Sequence, residues 1–163
     1  MADYYYGTFD VLASDIERYP ELKEEISNTF YDADGELLND NSYYADDDPV
    51  AHFCDYNARY GRFEELEDLC MKLHVPYDRY TDPFDGYDSY TAYYRPDIKE
   101  KDEIFCNGTG AQTVNINELR NLFKDKKIDM KNAYAVGEVF LNYLDTIPVI
   151  KSLEDYEGYI HKG

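Results

Sequence analysis

Basic residues are scarce in this sequence: 16 lysines and arginines face 35 aspartates and glutamates, leaving a net charge of −19. So anionic a chain repels phosphate, which excludes direct binding to DNA or to an anionic membrane. Long apolar runs are missing too. No stretch approaches the ~18 apolar residues of a membrane span, and "MADYYYGTFD" lacks the basic and apolar regions of a signal peptide, so a cytoplasmic location is expected. Cysteine is limited to Cys54, Cys70 and Cys106. An odd number fits reduced thiols better than a disulfide framework. Without secretion, "NGT" at 107–109 reads as a turn and not as a glycosylation acceptor.

Apolar residues make up 44% of the 163 positions, enough for a core of ordinary size, and the length suits one domain. The charge is uneven. Residues 1–98 hold 24 acids and 7 bases, whereas residues 99–163 hold 11 acids and 9 bases. Fifteen of the 19 tyrosines also fall in the first 98 residues. The single domain is thus read as an acidic, tyrosine-rich part, 1–98, followed by a near-neutral part of hairpin and helices, 99–163. A salt-adapted proteome would spread its acidity along the chain and suppress lysine, but here lysine outnumbers arginine, 10 to 6.

Residues 9–28 read as helical, with Leu12, Ile16, Tyr19, Leu22 and Ile26 at three- or four-residue spacing, and Pro20 divides them into two short helices. "YDADGELLNDN" is a turn, with a hairpin around Asp34-Gly35, and Asn39 to Asp48 an acidic loop. "PVAHFCDYN" gives a strand from Val50 to Tyr56. "RFEELEDLCMKLHV" gives the clearest helix, with Phe63, Leu66, Leu69, Cys70 and Leu73 as its apolar stripe and Glu64, Glu65, Glu67 and Asp68 off it. "PYDRYTD" and "SYTAYYRP" are two strands. The fold class is therefore α+β, a ferredoxin-like strand-helix-strand-strand unit with flanking helices.

Beyond a charged connector, "IFCNGTGAQTVN" reads as a hairpin. A helix then starts at an Asn115/Glu118 capping box, with Ile116, Leu119, Leu122 and Phe123 on its core face. A last helix, Lys131 to Asp145, carries Ala133, Val136, Phe140 and Leu144 on one face, and the tail holds an acidic patch of Glu154, Asp155 and Glu157.

Among candidate chemistries, an EF-hand fails. Placing Gly35 at loop position 6 puts Phe30 at position 1, and placing Gly86 there puts Pro83 at position 3. Zinc has one valid ligand set, His52 and Cys54 on a strand with Cys70 and His74 on the next helix, but the spacing is not that of a finger and Cys70 sits in the apolar stripe. None of the histidines, His52, His74 and His161, stands in a nucleophile motif, and "CNGTGAQ" lacks the lysine of a phosphate loop. The expectation is a non-enzymatic protein without a cofactor.

What remains is the acidic, tyrosine-rich surface, as in "SYYADDDPVAHF" at 42–53. Tyrosine suits recognition because a rigid amphipathic ring offers large contact area at low entropy cost. The acids are clustered, as Asp32/Asp34/Glu36, Asp46/Asp47/Asp48, Glu64/Glu65/Glu67/Asp68 and Asp82/Asp85/Asp88. Duplex DNA carries about one negative charge per 1.7 Å of axis. Clustered carboxylates on a rigid scaffold present a comparable field to a groove lined with lysine and arginine.

In size, acidity, aromatic content and lack of a catalytic motif, residues 1–98 resemble the DNA-mimic proteins that phages and mobile elements use against host defence, of antirestriction and anti-CRISPR type. "RFEELEDLCMKLHVPYDRY" and "YYRPD" are similar to parts of mobile-element proteins. The resemblance implies an inhibitor or regulator of a basic nucleic-acid-binding protein such as a defence nuclease. Asp46, Asp47, Asp48, Glu64, Glu65, Glu67, Asp68, Asp82, Asp85 and Asp88 are its expected partner-binding acids, and Tyr43, Tyr44, Tyr87 and Tyr90 its aromatic anchors. Two alternatives stand beside it: an immunity-type module for a basic protein that does not bind nucleic acid, and a small hydrolase or zinc enzyme using His52 or His74.

Overall fold

The computed structural model describes residues 4–39, 42, 49–83, 89–98, 104–107, 116–129, 131–145 and 149–160. In chain order the elements are β1 (Tyr4–Leu12), α1 (Ala13–Arg18), α2 (Pro20–Phe30), β2 (Val50–Arg59), α3 (Glu64–Leu73), β3 (Tyr77–Thr81), β4 (Tyr90–Tyr94), β5 (Ile104–Asn107), α4 (Ile116–Asp125), α5 (Ala133–Leu144) and α6 (Leu153–Ile160). The fold is α+β. The chain divides into two compact units, one of residues 1–112 and 150–163, the other of residues 113–149. The unit boundaries fall at residues 112/113 and 149/150, away from residue 98, where the charge of the sequence changes.

The first unit contains a sheet ordered β2-β1-β3-β4-β5, antiparallel throughout. Its β2-α3-β3-β4 portion is the expected strand-helix-strand-strand unit. The central strand, β1, falls partly where a helix was expected, since residues 9–12 are extended and the helices begin only at Ala13. Leu12 and Ile16 do share a helical spacing, but Gly7, Phe9 and Val11 alternate with Tyr6, Thr8 and Asp10. Pairing on both edges, with β2 and β3, favours the extended form. Pro20 is the first residue of α2, and Tyr19 separates it from α1.

One face of the sheet packs under the helices. Phe9, Val11, Ala51, Phe53 and Tyr77 meet Ile16 of α1, Leu22, Ile26 and Phe30 of α2, and Leu66 and Cys70 of α3 in one buried cluster. Phe30 stacks on Phe53 with ring centroids 4.9 Å apart, and Phe9 on Tyr77 at 5.0 Å. Aromatic pairs thus supply the density that tryptophan, absent from the chain, does not.

Gly61, in the turn between β2 and α3, has φ +64°, and a Cβ there would lie 2.1 Å from Thr81 Cγ2. Its carbonyl accepts the Thr81 hydroxyl at 2.8 Å, tying the turn to β3. Gly61→Ala therefore meets both a left-handed backbone and a clash, and should cost at least about 2 kcal/mol. Urea denaturation of the variant checks this.

In the second unit, Leu119 and Phe123 of α4 pack with Val139 of α5, joined by Leu122, Ile128, Val136 and Tyr143. The Asn132 side chain caps α5 by accepting the Ala135 N–H at 3.2 Å. Phe140 and Leu144, expected on one face with Ala133 and Val136, are 37% and 38% exposed. "AYAVGEVFLNYL" is apolar nearly all round, so periodicity alone does not choose its inward face. The Asn115 cap and the return of the 104–115 hairpin lie outside the described residues.

Candidate functional site

The second unit has five acids, Glu118, Asp125, Asp129, Glu138 and Asp145, and five bases, Arg120, Lys124, Lys126, Lys127 and Lys131. It is neutral, so the whole −19 of the chain belongs to the first unit.

Much of that charge sits on the helices that cover the sheet. α2 and α3 touch each other over the same core. Burying Leu22, Ile26 and Phe30 turns Glu21 and Glu24 of α2 to solvent and leaves Glu25 half-buried. Burying Leu66 and Cys70 does the same for Glu64, Glu65 and Asp68 of α3. On α3 three exposed carboxylates therefore fall within four residue steps, about 6 Å of axis, or one charge per ~2 Å, while the same span of α2 carries two exposed ones and the half-buried Glu25, with Lys23 among them. The α3 spacing approaches the charge density of duplex DNA. Asp32, Asp34 and Glu36 add a third exposed group in the turn after α2. The turn is held rigid where Asp32 Oδ1 accepts the N–H groups of Asp34 and Glu36, both at 2.9 Å. Two cations of this layer are already engaged, Lys23 with Glu17 at 2.9 Å and Arg62 with Glu67 at 2.9 Å.

Glu67 does not belong to this surface. Expected off the apolar stripe, it is fully buried. Its position, four residues after Phe63 and three before Cys70, is on the stripe, and the site is tolerable because charge meets it there. Glu67 Oε1 lies 3.1 Å from Nε of the equally buried Arg79 and accepts the Phe63 N–H at 2.7 Å, while Oε2 faces Arg62. Burial raises the Glu67 pKa above the ordinary carboxylate value, against the pull of Arg79, the Phe63 N–H and Arg62.

Tyr90, an expected aromatic anchor, is likewise engaged within the fold. Its hydroxyl accepts Arg79 Nη1 at 3.0 Å and its ring lies 5.2 Å from the guanidinium carbon. Asp82 follows Thr81, whose side chain is buried toward Gly61 on the helical side, so alternation places Asp82 on the opposite face of the sheet from Glu64, Glu65 and Asp68. Tyr43, Tyr44, Asp46, Asp47, Asp48, Asp85, Tyr87 and Asp88 lie outside the described residues.

The four candidate zinc ligands are not brought together. His52 and Cys54 point to the face opposite the helices, Cys70 is buried beneath α3, and His74 is exposed as the left-handed cap of α3 with φ 57°. Among the described residues no cluster of three histidines, cysteines or acids could hold a metal ion. Burial also pushes the Cys70 thiol well above its ordinary pKa.

That opposite face carries a polar row the sequence reading missed. In register across three strands stand His52, Asp10 and Asp78, with Tyr93 next on β4. His52 Nδ1 meets Asp10 Oδ1 at 2.5 Å, and this hydrogen bond raises the imidazole pKa. Asp78 Oδ1 is 2.6 Å from Nη1 of the buried Arg95, yet burial outweighs that guanidinium and pushes the carboxyl up to about 6. Arg95 also donates to the carbonyls of Tyr77, Tyr94 and Lys151, each at 2.9 Å, and stacks against Tyr93 and Tyr156. It thereby joins β3 and β4 to the segment that leads into α6. The available signal was charge at consecutive positions of one strand, Asp78 and Arg79, which places one charge on each face of the sheet.

No helix among the described residues is long and apolar enough to cross a membrane. No protein-family model matches the chain, and no curated protein or solved structure does.

Proposed function

We propose that this protein is a non-enzymatic, cytoplasmic inhibitor or regulator that binds a basic nucleic-acid-binding protein, with its carboxylates where phosphates would lie. The observation that carries the reading is the confinement of the whole net charge to the first unit, with the exposed acids of α3 at near-duplex linear density and those of α2 beside them. Cationic grooves attract such a surface over a Debye length, which speeds encounter and makes binding salt-sensitive. A defence nuclease of a bacterial host has the required groove.

The test is affinity capture from bacterial lysate at low and high salt, with and without competing duplex DNA. Capture of a nucleic-acid-binding protein that DNA displaces is the expected result. Capture of a basic protein that DNA does not displace would replace this reading with an immunity-type module. The absence of any salt-sensitive partner would overturn both and direct attention to Asp10 and His52 as an acid-base pair. With the partner in hand, the combined Glu64→Gln, Glu65→Gln and Asp68→Asn variant is expected to weaken binding by about 10- to 100-fold, mostly through slower association, at unchanged melting temperature.

A further inference from the structure

Charge steers a partner but rarely holds it. The long-lived part of an interface is usually a desolvated pocket filled by one large side chain. The acidic helical layer has such a pocket. A cleft of about 460 Å³ opens between α2, the turn that follows it and β2. Its volume lies in the ~300–1,000 Å³ range of sites that bury an organic group. Ile16, Ile26 and Phe53 of the core form its floor, so an inserted ring would rest on close-packed apolar side chains. Tyr31 and Ala33 line it further.

The chemistry at the mouth selects the occupant. Asp32 lines the cleft, and Asp34 and Glu36 stand exposed in the same turn. Lys23 also lines it and pairs with Glu17 at 2.9 Å, so carboxylates outnumber cations around the mouth. An apolar interior with a carboxylate rim complements an apolar group carried between cations. We infer that the cleft is the anchor site of the interface, receiving one aromatic side chain of a partner segment whose neighbours are lysines or arginines. The inference rests on the acidic layer being the partner-binding surface, and adds to it the residue that the partner must insert.

The experiment uses two peptides of equal charge, acetyl-Lys-Lys-Phe-Lys-Lys-amide and its Ala-centred counterpart, titrated into the full chain labelled at isoleucine methyls and backbone amides. The Phe peptide is expected to bind at least about fivefold more tightly and to shift the Ile16 and Ile26 methyls, while the Ala peptide shifts only amides of α3 and of the 32–36 turn. Ser27→Trp, at an exposed position on the cleft wall, should abolish the Phe preference and leave Ala-peptide binding as it was. Equal affinities with unshifted methyls would overturn the anchor site while leaving the acidic surface intact. Binding of the Phe peptide alone, insensitive to salt, would uphold the cleft and remove the charge-based reading. No shift from either peptide at millimolar concentration would overturn both.

Discussion

Glu67→Ala is expected to destabilise the protein by about 3–5 kcal/mol, a large share of the ~5–15 kcal/mol that holds a domain of ordinary size. The cost comes from what remains, more than from what is lost. Arg79 is completely buried, and without Glu67 its Nε loses the carboxylate 3.1 Å away while the guanidinium stays in the core. The Phe63 N–H, which starts α3, loses its acceptor as well. Arg62 can swing to water because its side chain is 36% exposed. Removing both buried charges, as Glu67→Leu with Arg79→Met, should recover much of the loss, since a well-packed apolar pair replaces a buried ion pair at little cost. Chemical denaturation of the two single variants and the double variant measures the coupling. If Glu67→Ala costs less than about 1 kcal/mol, the pair is not the keystone of the α3-sheet contact.

The second large effect runs against the usual behaviour of proteins in acid: stability should rise as the pH falls from 8 to 5. Asp78 titrates near 6 in the folded protein and near 3.8 without its surroundings. The folded state holds that proton more tightly, so its contribution is complete below about 3.8 and is lost as the pH rises through about 6, with about 1.4 kcal/mol of it falling between pH 5 and 8. His52, its pKa raised by Asp10, acts in the same sense: its contribution is complete below 6.5 and disappears as the pH passes the folded value. Self-repulsion from 19 net negative charges also relaxes on protonation. With three contributions of one sign, the melting temperature at pH 5 should exceed that at pH 8 by about 4–8 °C. Asp78→Asn should flatten the slope between pH 5 and 6. A melting temperature that climbs with pH would show that salt bridges of ordinary surface carboxylates dominate instead.

What could be read from the sequence, and what could not, separates along physical lines. α3, β3 and β4 were legible because each carries a clean period, and Pro20 marked the start of α2 because proline suits a first helical turn. β1 was obscured because its alternation overlaps a helical spacing that begins at Leu12, and only pairing on both edges decides between them. Glu64, Glu65 and Asp68 were correctly placed on the solvent side of α3, since each lies off the stripe. Glu67 runs against the rule that charge signals exposure: the helical period puts it inward, and Arg79, twelve residues on, makes that possible. The Asp10-His52 and Asp78-Arg95 pairs depend on strand register, which no local pattern specifies. The anchor cleft unites α1, α2, the turn and β2, and so becomes visible only once the chain is folded.

The position of β1 has a consequence for how the chain acquires its shape. As the central strand it bonds to β2 on one edge and to β3 on the other, and those partners lie some forty to seventy residues further along. On the ribosome, Tyr4–Leu12 must therefore wait with both edges unpaired until Val50–Arg59 has emerged, and with one edge still open until Thr81 follows. Through that interval the many aspartates and glutamates of the nascent segment repel neighbouring copies. The same charge that we assign to recognition then guards the exposed strand against self-association until its place in the sheet is filled.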